Sequence, residues 1–116
     1  MKAPILSSMS VVEDVYFQIT TPLGVRVRTT KIYWLRIIET NHPIMRKFGS
    51  EAKQALEKPD QIRRSLQDPK VHLYYKAIGN LSVCVVVDHF TEKDGYIITA
   101  YLTDRIKEGE KIYVKD

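Results

Sequence analysis

Hydrophobic and polar residues alternate with period two over Val71–Ile78 (VHLYYKAI) and again over Tyr96–Thr103 (YIITAYLT). In the first stretch Val71, Leu73, Tyr75 and Ala77 fall on one face, and His72, Tyr74, Lys76 and Ile78 on the other. In the second, Ile98, Ala100 and Leu102 stand opposite a row of hydroxyls, Thr99, Tyr101 and Thr103. Between them lies the short β-branched run Leu81–Val87. Period two bounded by turn residues predicts strands. Gly79-Asn80 suits a two-residue hairpin connection, and Lys93-Asp94-Gly95 a second turn. Lys111–Lys115 (KIYVK) reads as a final edge strand guarded by its lysines.

The N-terminal part is less regular. Residues 1–10 read as a loose lead-in, and Val11–Thr20 as a strand whose phase slips at Glu13-Asp14, where a bulge would fit. Thr21-Pro22-Leu23-Gly24 is a turn. Val25–Arg28 alternates apolar and basic residues, and Ile32–Ile38 (IYWLRII) reads as a more apolar strand. Asn41 as N-cap and Pro43 in the first turn open a helix expected to run to Leu56. Ile44, Phe48, Ala52, Ala55 and Leu56 share one of its faces. Gly49 weakens its middle by roughly 1 kcal/mol, and Pro59 ends it. Gln61–Gln67 suits either a short strand or a helical turn, and Asp68-Pro69 is a turn. The expected fold class is α+β: one main helix packed on a four- to five-stranded antiparallel sheet, preceded by an N-terminal β-hairpin. The 116 residues make one domain, with strands over 11–38 and a helix-plus-meander core over 40–116.

Composition narrows the class. The formal net charge is +4. It is uneven: residues 1–58 hold nine Lys/Arg against five Asp/Glu, whereas 59–116 hold nine of each. A modest basic excess in the first half suits a polyanion such as RNA. No apolar run approaches the roughly 20 residues that span a bilayer. The first residues make a poor signal peptide, so a cytoplasmic location without membrane contact is expected. The single cysteine, Cys84, excludes an internal disulfide and any cysteine zinc cluster. Its β-branched surroundings predict a buried, inert thiol.

Several residues could carry chemistry, and each has a plainer reading. His42 stands at a predicted helix start, where imidazole can take or give a proton near neutral pH, or simply sit on the surface as a cap. Tyr74 and Lys76 share a strand face, as a base-stacking ring and a phosphate-holding cation, or as one solvated sheet face. Arg63, Arg64 and Ser65 offer phosphate contacts, or form a charged turn. Thr99, Tyr101 and Thr103 offer hydroxyl donors, or an ordinary amphipathic strand. Arg26 and Arg28 belong to a basic stripe with Lys31 and Arg36. The three histidines, His42, His72 and His89, are too scattered for a helical metal motif, and there is no Gly-rich phosphate loop.

In order, the chain reads His42-Pro43, a helix, Pro59-Asp60-x-Ile62-x-x-Ser65, Asp68, Tyr74-Tyr75-Lys76, a Val-rich strand and Ile98-Thr99-Ala100-Tyr101. From about Trp34 to Val114 this order resembles the phage-associated nuclease domains of the barnase–EndoU–colicin–RelE-like group. The resemblance implies a helix on a four-stranded antiparallel sheet and RNA cleavage on one sheet face, with no metal and no cofactor. It implies RNA as partner, and for toxin-like members an immunity or antitoxin protein. The matching positions are His42, Ser65, Lys76, Thr99 and Tyr101. His42 would then be general base or acid, and Lys76 would stabilise charge on the phosphate. Thr99, Ser65 and Tyr101 would donate to the phosphate, with Tyr101 a possible second acid. Arg64, Arg26 and Arg28 would bind the backbone, and Tyr74 would stack on a base. The alternative is an RNA- or protein-binding module of the same fold without catalysis.

Overall fold

The structure is a computed structural model that describes residues 15–107 and 109–116. The expected lead-in over 1–10, the strand start at Val11 and the slip at Glu13-Asp14 lie outside the described residues. Strands β1 (Val15–Thr20) and β2 (Arg26–Thr30) form an antiparallel hairpin. Its turn is closed by the Gly24 amide donating to the Thr21 carbonyl at 2.9 Å, with Gly24 at φ +79°, where a side chain would be strained. Helix α1 (Lys31–Arg36) follows, then a π-type turn over Ile37–Asn41, a 3₁₀ turn over Pro43–Lys47 and helix α2 (Gly49–Glu57). Five strands complete the chain: β3 (Gln61–Arg64), β4 (Val71–Ile78), β5 (Leu81–Asp88), β6 (Asp94–Thr103) and β7 (Glu110–Val114).

All seven strands join one sheet in the order β1-β2-β6-β5-β4-β3-β7. Every pairing is antiparallel except β2 with β6, which is parallel and lasts three residue pairs, Arg26–Asp94, Val27–Gly95 and Arg28–Tyr96. This corrects the expected architecture. The N-terminal hairpin does not stand ahead of a four- to five-stranded antiparallel sheet but extends it into a mixed seven-stranded one. The helical part is two short helices joined by irregular turns, not one main helix.

Two local causes explain the helical differences. Ile32–Ile38 is not a strand, because Thr30 caps α1: its hydroxyl accepts from the Tyr33 amide at 3.1 Å. Trp34, Ile37 and Ile38 are then buried at helical spacing, while Ile32 is 65% exposed. The expected helix over Pro43–Leu56 breaks at Phe48 (φ −122°, ψ 27°), just before Gly49. Asn41 is not its cap, since the 3₁₀ turn starts from His42, whose side chain makes no capping bond.

One face of the sheet is covered by the helical segments. There Val27, Ile62, Tyr74, Val83, Val85, Val87, Ile97 and Ala100 pack with Trp34, Ile37, Met45, Ala52, Ala55 and Leu56. Tyr74 is fully buried in this layer, its hydroxyl bonded to Thr21 Oγ1 (3.2 Å) and to His89 Nε2 (2.9 Å). His89 stacks on His72, with ring centroids 3.7 Å apart. Burial, and for His89 the neighbouring His72 ring, disfavours the charged imidazolium: His72 is lowered and His89 is held down to about 4. The opposite face carries a smaller cluster, Leu73, Tyr75 and Cys84, flanked by Val86 and Tyr101. No helix covers it. The chain crosses it instead, from β6 to β7 on the far edge: the Lys107 amide donates to the Tyr75 hydroxyl at 3.1 Å, and Arg63 donates to the Gly109 carbonyl at 3.3 Å. Among the described residues no helix is long and apolar enough to cross a membrane.

Two outcomes are expected. The unfolded chain takes up protons on His72 and His89 near pH 6.5 and the folded chain only at lower pH, so their contribution is whole above 6.5 and is lost as pH falls toward 4. Thermal melts should show a drop of roughly 5 °C between pH 7 and pH 5, and His89→Phe should flatten it. At Gly109 an added Cβ would stand 2.6 Å from the Arg64 carbonyl oxygen. Gly109→Ala should therefore cost about 1–3 kcal/mol in urea unfolding, because the crossover must lift off β3.

Candidate functional site

Strand register decides which of the expected site residues meet. Cys84 lies opposite Tyr75 on β4 and Tyr101 on β6, while Val86 lies opposite Leu73 and Thr99. Thr99 and Tyr101 therefore belong to the helix-free face. Lys76 lies opposite Val83, on the helix-covered face, with its side chain partly exposed. Its ammonium donates to the Lys58 carbonyl at 3.1 Å and stands 3.9 Å from the Asp60 carboxylate. The sheet thus separates Lys76 from the hydroxyl row.

His42 does reach that row. Strand β2 pairs with β6 only at residues 94–96, so the C-terminal half of β6 has no strand partner on that side among the described residues. The segment after β2 lies along this free edge. Tyr33 donates its hydroxyl proton to the Ile98 carbonyl at 2.8 Å, and the 3₁₀ turn contacts β6. The His42 ring ends 5.7 Å from the Tyr101 ring, centroid to centroid. On Tyr101 also stands the Lys107 ammonium, 5.6 Å from the ring centroid.

The chemistry of this cluster is set by burial. Thr99 Oγ1 and the Tyr101 hydroxyl are both buried with no hydrogen-bond partner among the described residues. Tyr101 lies beside the Cys84 thiol and the Tyr75 hydroxyl without a well-aligned bond to either. Burial, and next the adjacent Cys84, pushes the Tyr101 phenol far above its ordinary range. Burial likewise pushes Tyr75 up to about 12 and Cys84 up to about 11. All three are neutral at physiological pH, so Tyr101 and Thr99 can donate hydrogen bonds to an anion but cannot act as bases. His42 adds an imidazole ring to this cluster. Among the described residues no group of three or more His, Cys, Asp or Glu side chains is placed to hold a metal ion.

The other expected residues lie elsewhere. Tyr74 is sealed in the helix-covered layer and offers no ring for a base. Ser65 Oγ is used in its own turn, accepting from the Gln67 amide (3.1 Å) and the Asp68 amide (3.4 Å). Arg64 is paired across strands with Glu110, Nε to Oε1 at 3.0 Å. Arg26 makes a two-point contact with Asp94 at 3.0 and 3.1 Å, and Arg28 stands 3.8 Å from the same carboxylate. These two arginines share the face of Thr99 and Tyr101, but at the other end of β6. Conversely, Tyr75 and Lys107 are new to the site, and Cys84, expected as a buried thiol, lies buried within it. The Gly79-Asn80 turn sets Ile78 opposite Leu81 and hence Tyr75 opposite Cys84, a pairing readable from the sequence. Nothing in the sequence pointed to Lys107, which arrives on an irregular crossover.

Comparison of the chain with protein-family models, with curated proteins and with solved structures finds no match.

The unpartnered hydroxyls yield a stability signature. Thr99→Val and Tyr101→Phe remove buried groups that have no bond to lose, so neither should destabilise the fold, and a gain of up to about 1 kcal/mol is expected. Tyr75→Phe strips the acceptor of the Lys107 amide and should cost about 1 kcal/mol. Chemical denaturation of the three variants checks the contrast.

Proposed function

We propose that this chain is a metal-independent endoribonuclease of the kind its sequence resemblance implies, with its site on the helix-free face of β6. One observation carries the reading. Two buried hydroxyl donors, Thr99 and Tyr101, lack partners among the described residues, and the Tyr101 ring stands beside an imidazole, His42, and a cation, Lys107. Unpaired buried donors cost free energy, and a phosphate would supply the acceptors they lack. In RNA the nucleophile is internal: the 2′-oxygen attacks the adjacent phosphorus and the bond to the 5′-oxygen breaks. That displacement needs a base, a proton for the leaving oxygen and stabilisation of the charge on phosphate. His42 takes the 2′-hydroxyl proton and, once charged, can return one to the 5′-oxygen. Lys107 neutralises the phosphate, and Thr99 and Tyr101 donate to its oxygens. Lys107 replaces Lys76 as the proposed cation, because Lys76 is held by Lys58 and Asp60 on the other face. Both hydroxyl oxygens are buried, so substrate must displace whatever covers them to reach them.

Incubation of total RNA in EDTA tests the reading. Wild-type protein should yield fragments with 2′,3′-cyclic phosphate and 5′-hydroxyl ends. His42→Ala should slow cleavage about 100-fold or more, Lys107→Ala should slow it measurably, and Lys76→Ala should leave it unchanged. Equal cutting by wild type, His42→Ala and Lys107→Ala would overturn the site. A second reading, an RNA-binding module without catalysis, is favoured by the covering of the two hydroxyls. It predicts intact RNA together with binding that weakens steeply as salt rises.

A further inference from the structure

We propose a second site on the same sheet face, a platform on which an unpaired nucleobase stacks, formed by Phe90 and Tyr96 with Arg28. It rests on the nucleic-acid reading above and deepens it: the site would take single-stranded RNA, held at a base some distance from the phosphate at Tyr101.

Phe90 and Tyr96 are large aromatic side chains left 41% and 45% exposed. Their ring centroids are 5.5 Å apart, tilted by 39°, so they form one stepped apolar surface without room for a base between them. The Arg28 guanidinium carbon stands 5.9 Å from the Phe90 ring centroid. Asp94 is occupied by Arg26 in a two-point contact and meets Arg28 only at 3.8 Å, so Arg28 keeps donors to spare for a phosphate. Beside the platform lies a cleft of about 490 Å³, lined by Arg28, Thr30, Tyr33 and Tyr96 among others. An aromatic step with a guanidinium on its rim is the chemistry that holds single strands, because every base presents a π-face and every link a negative charge.

The register ties this platform to the first site. Tyr96 lies opposite Asp88 and Arg28, on the face opposite the buried Val27, Val87 and Ile97. That is the face of Thr99 and Tyr101. Along β6 the platform and Tyr101 are about 15 Å apart at the usual strand rise, farther than adjacent nucleotides reach. A single strand lying along β6 would meet both, whereas a dinucleotide would meet one.

The experiment pairs a binding measurement with a cleavage measurement. The probe is a fluorescein-labelled, single-stranded 2′-O-methyl oligonucleotide long enough to span both sites, which resists cleavage for lack of a free 2′-hydroxyl. Phe90→Ala/Tyr96→Ala should bind it about 10-fold more weakly than wild type and should cleave a dinucleotide at the wild-type rate. Phe90→Leu, which keeps apolar bulk but loses the flat ring, should weaken binding in the same direction. Its melting temperature should stay that of wild type. Binding within twofold of wild type in both variants, with dinucleotide cleavage intact, would overturn the platform and leave the nuclease reading standing. A 10-fold loss of binding in a protein that cleaves nothing would support the platform and overturn the nuclease reading. A wild-type protein that neither binds nor cleaves would overturn both.

Discussion

Three parallel residue pairs between β2 and β6 hold the two halves of this chain in one sheet. The join is anchored by the Arg26 amide on the Lys93 carbonyl at 2.7 Å, and by the Arg26 guanidinium on Asp94. Val27 and Gly95 sit at its centre, and Gly95 has no room for a side chain: a Cβ there would stand 2.9 Å from Val87 and 3.0 Å from the Asp88 carbonyl oxygen. The shortness of this pairing matters as much as its presence. Had β2 continued along β6, it would have occupied the edge on which Tyr33 and His42 now lie. The arrest of β2 at Thr30, where the hydroxyl caps α1, opens that edge and brings imidazole to Tyr101.

Two of the three buried side-chain polar atoms without a partner among the described residues lie in the proposed site, the third being Asp88 Oδ1. Thr99 and Tyr101 are good strand formers, and valine and phenylalanine would fill their places without unpaired oxygens. A protein that keeps two such groups side by side, next to a cation and an imidazole, forgoes stability in a way that binding an anion would offset. The neutrality of Tyr75, Cys84 and Tyr101 belongs to the same logic. A dry cluster of weak acids leaves the positive charge of Lys107 uncompensated from below.

Much of the sheet was legible in the sequence, because period two survives wherever one face is buried. The hairpin at Gly79-Asn80 and the hydroxyl row on β6 were both readable from spacing. What spacing could not give was the side of the sheet on which the helices would settle. Tyr74 and Lys76 looked like an open face, yet they lie on the helix-covered face, and Tyr75 and Cys84 line the face with the hydroxyls. Ile32–Ile38 misled for a different reason. Its β-branched and aromatic residues favour a strand locally, but a Thr30 cap and a buried Trp34–Ile37–Ile38 stripe override that preference. The parallel join was hidden altogether, since three pairs separated by some seventy residues leave no local pattern.

One extra residue reconciles the two ends of β6. Between Val86 opposite Thr99 and Val87 opposite Ile97, Ile98 has no partner, a bulge in the strand. Strict alternation would place Tyr96 and Thr99 on opposite faces, because they are an odd number of residues apart. The bulge shifts the phase by one, so Ile97 and Ala100 both enter the core while Tyr96, Thr99 and Tyr101 all face away from it. The displaced Ile98 carbonyl is not left unpaired, for it accepts the Tyr33 hydroxyl at 2.8 Å. The same bond that satisfies the bulge therefore fixes α1 against the free edge of β6. Through that helix and the turns after it, the bond also fixes where His42 stands.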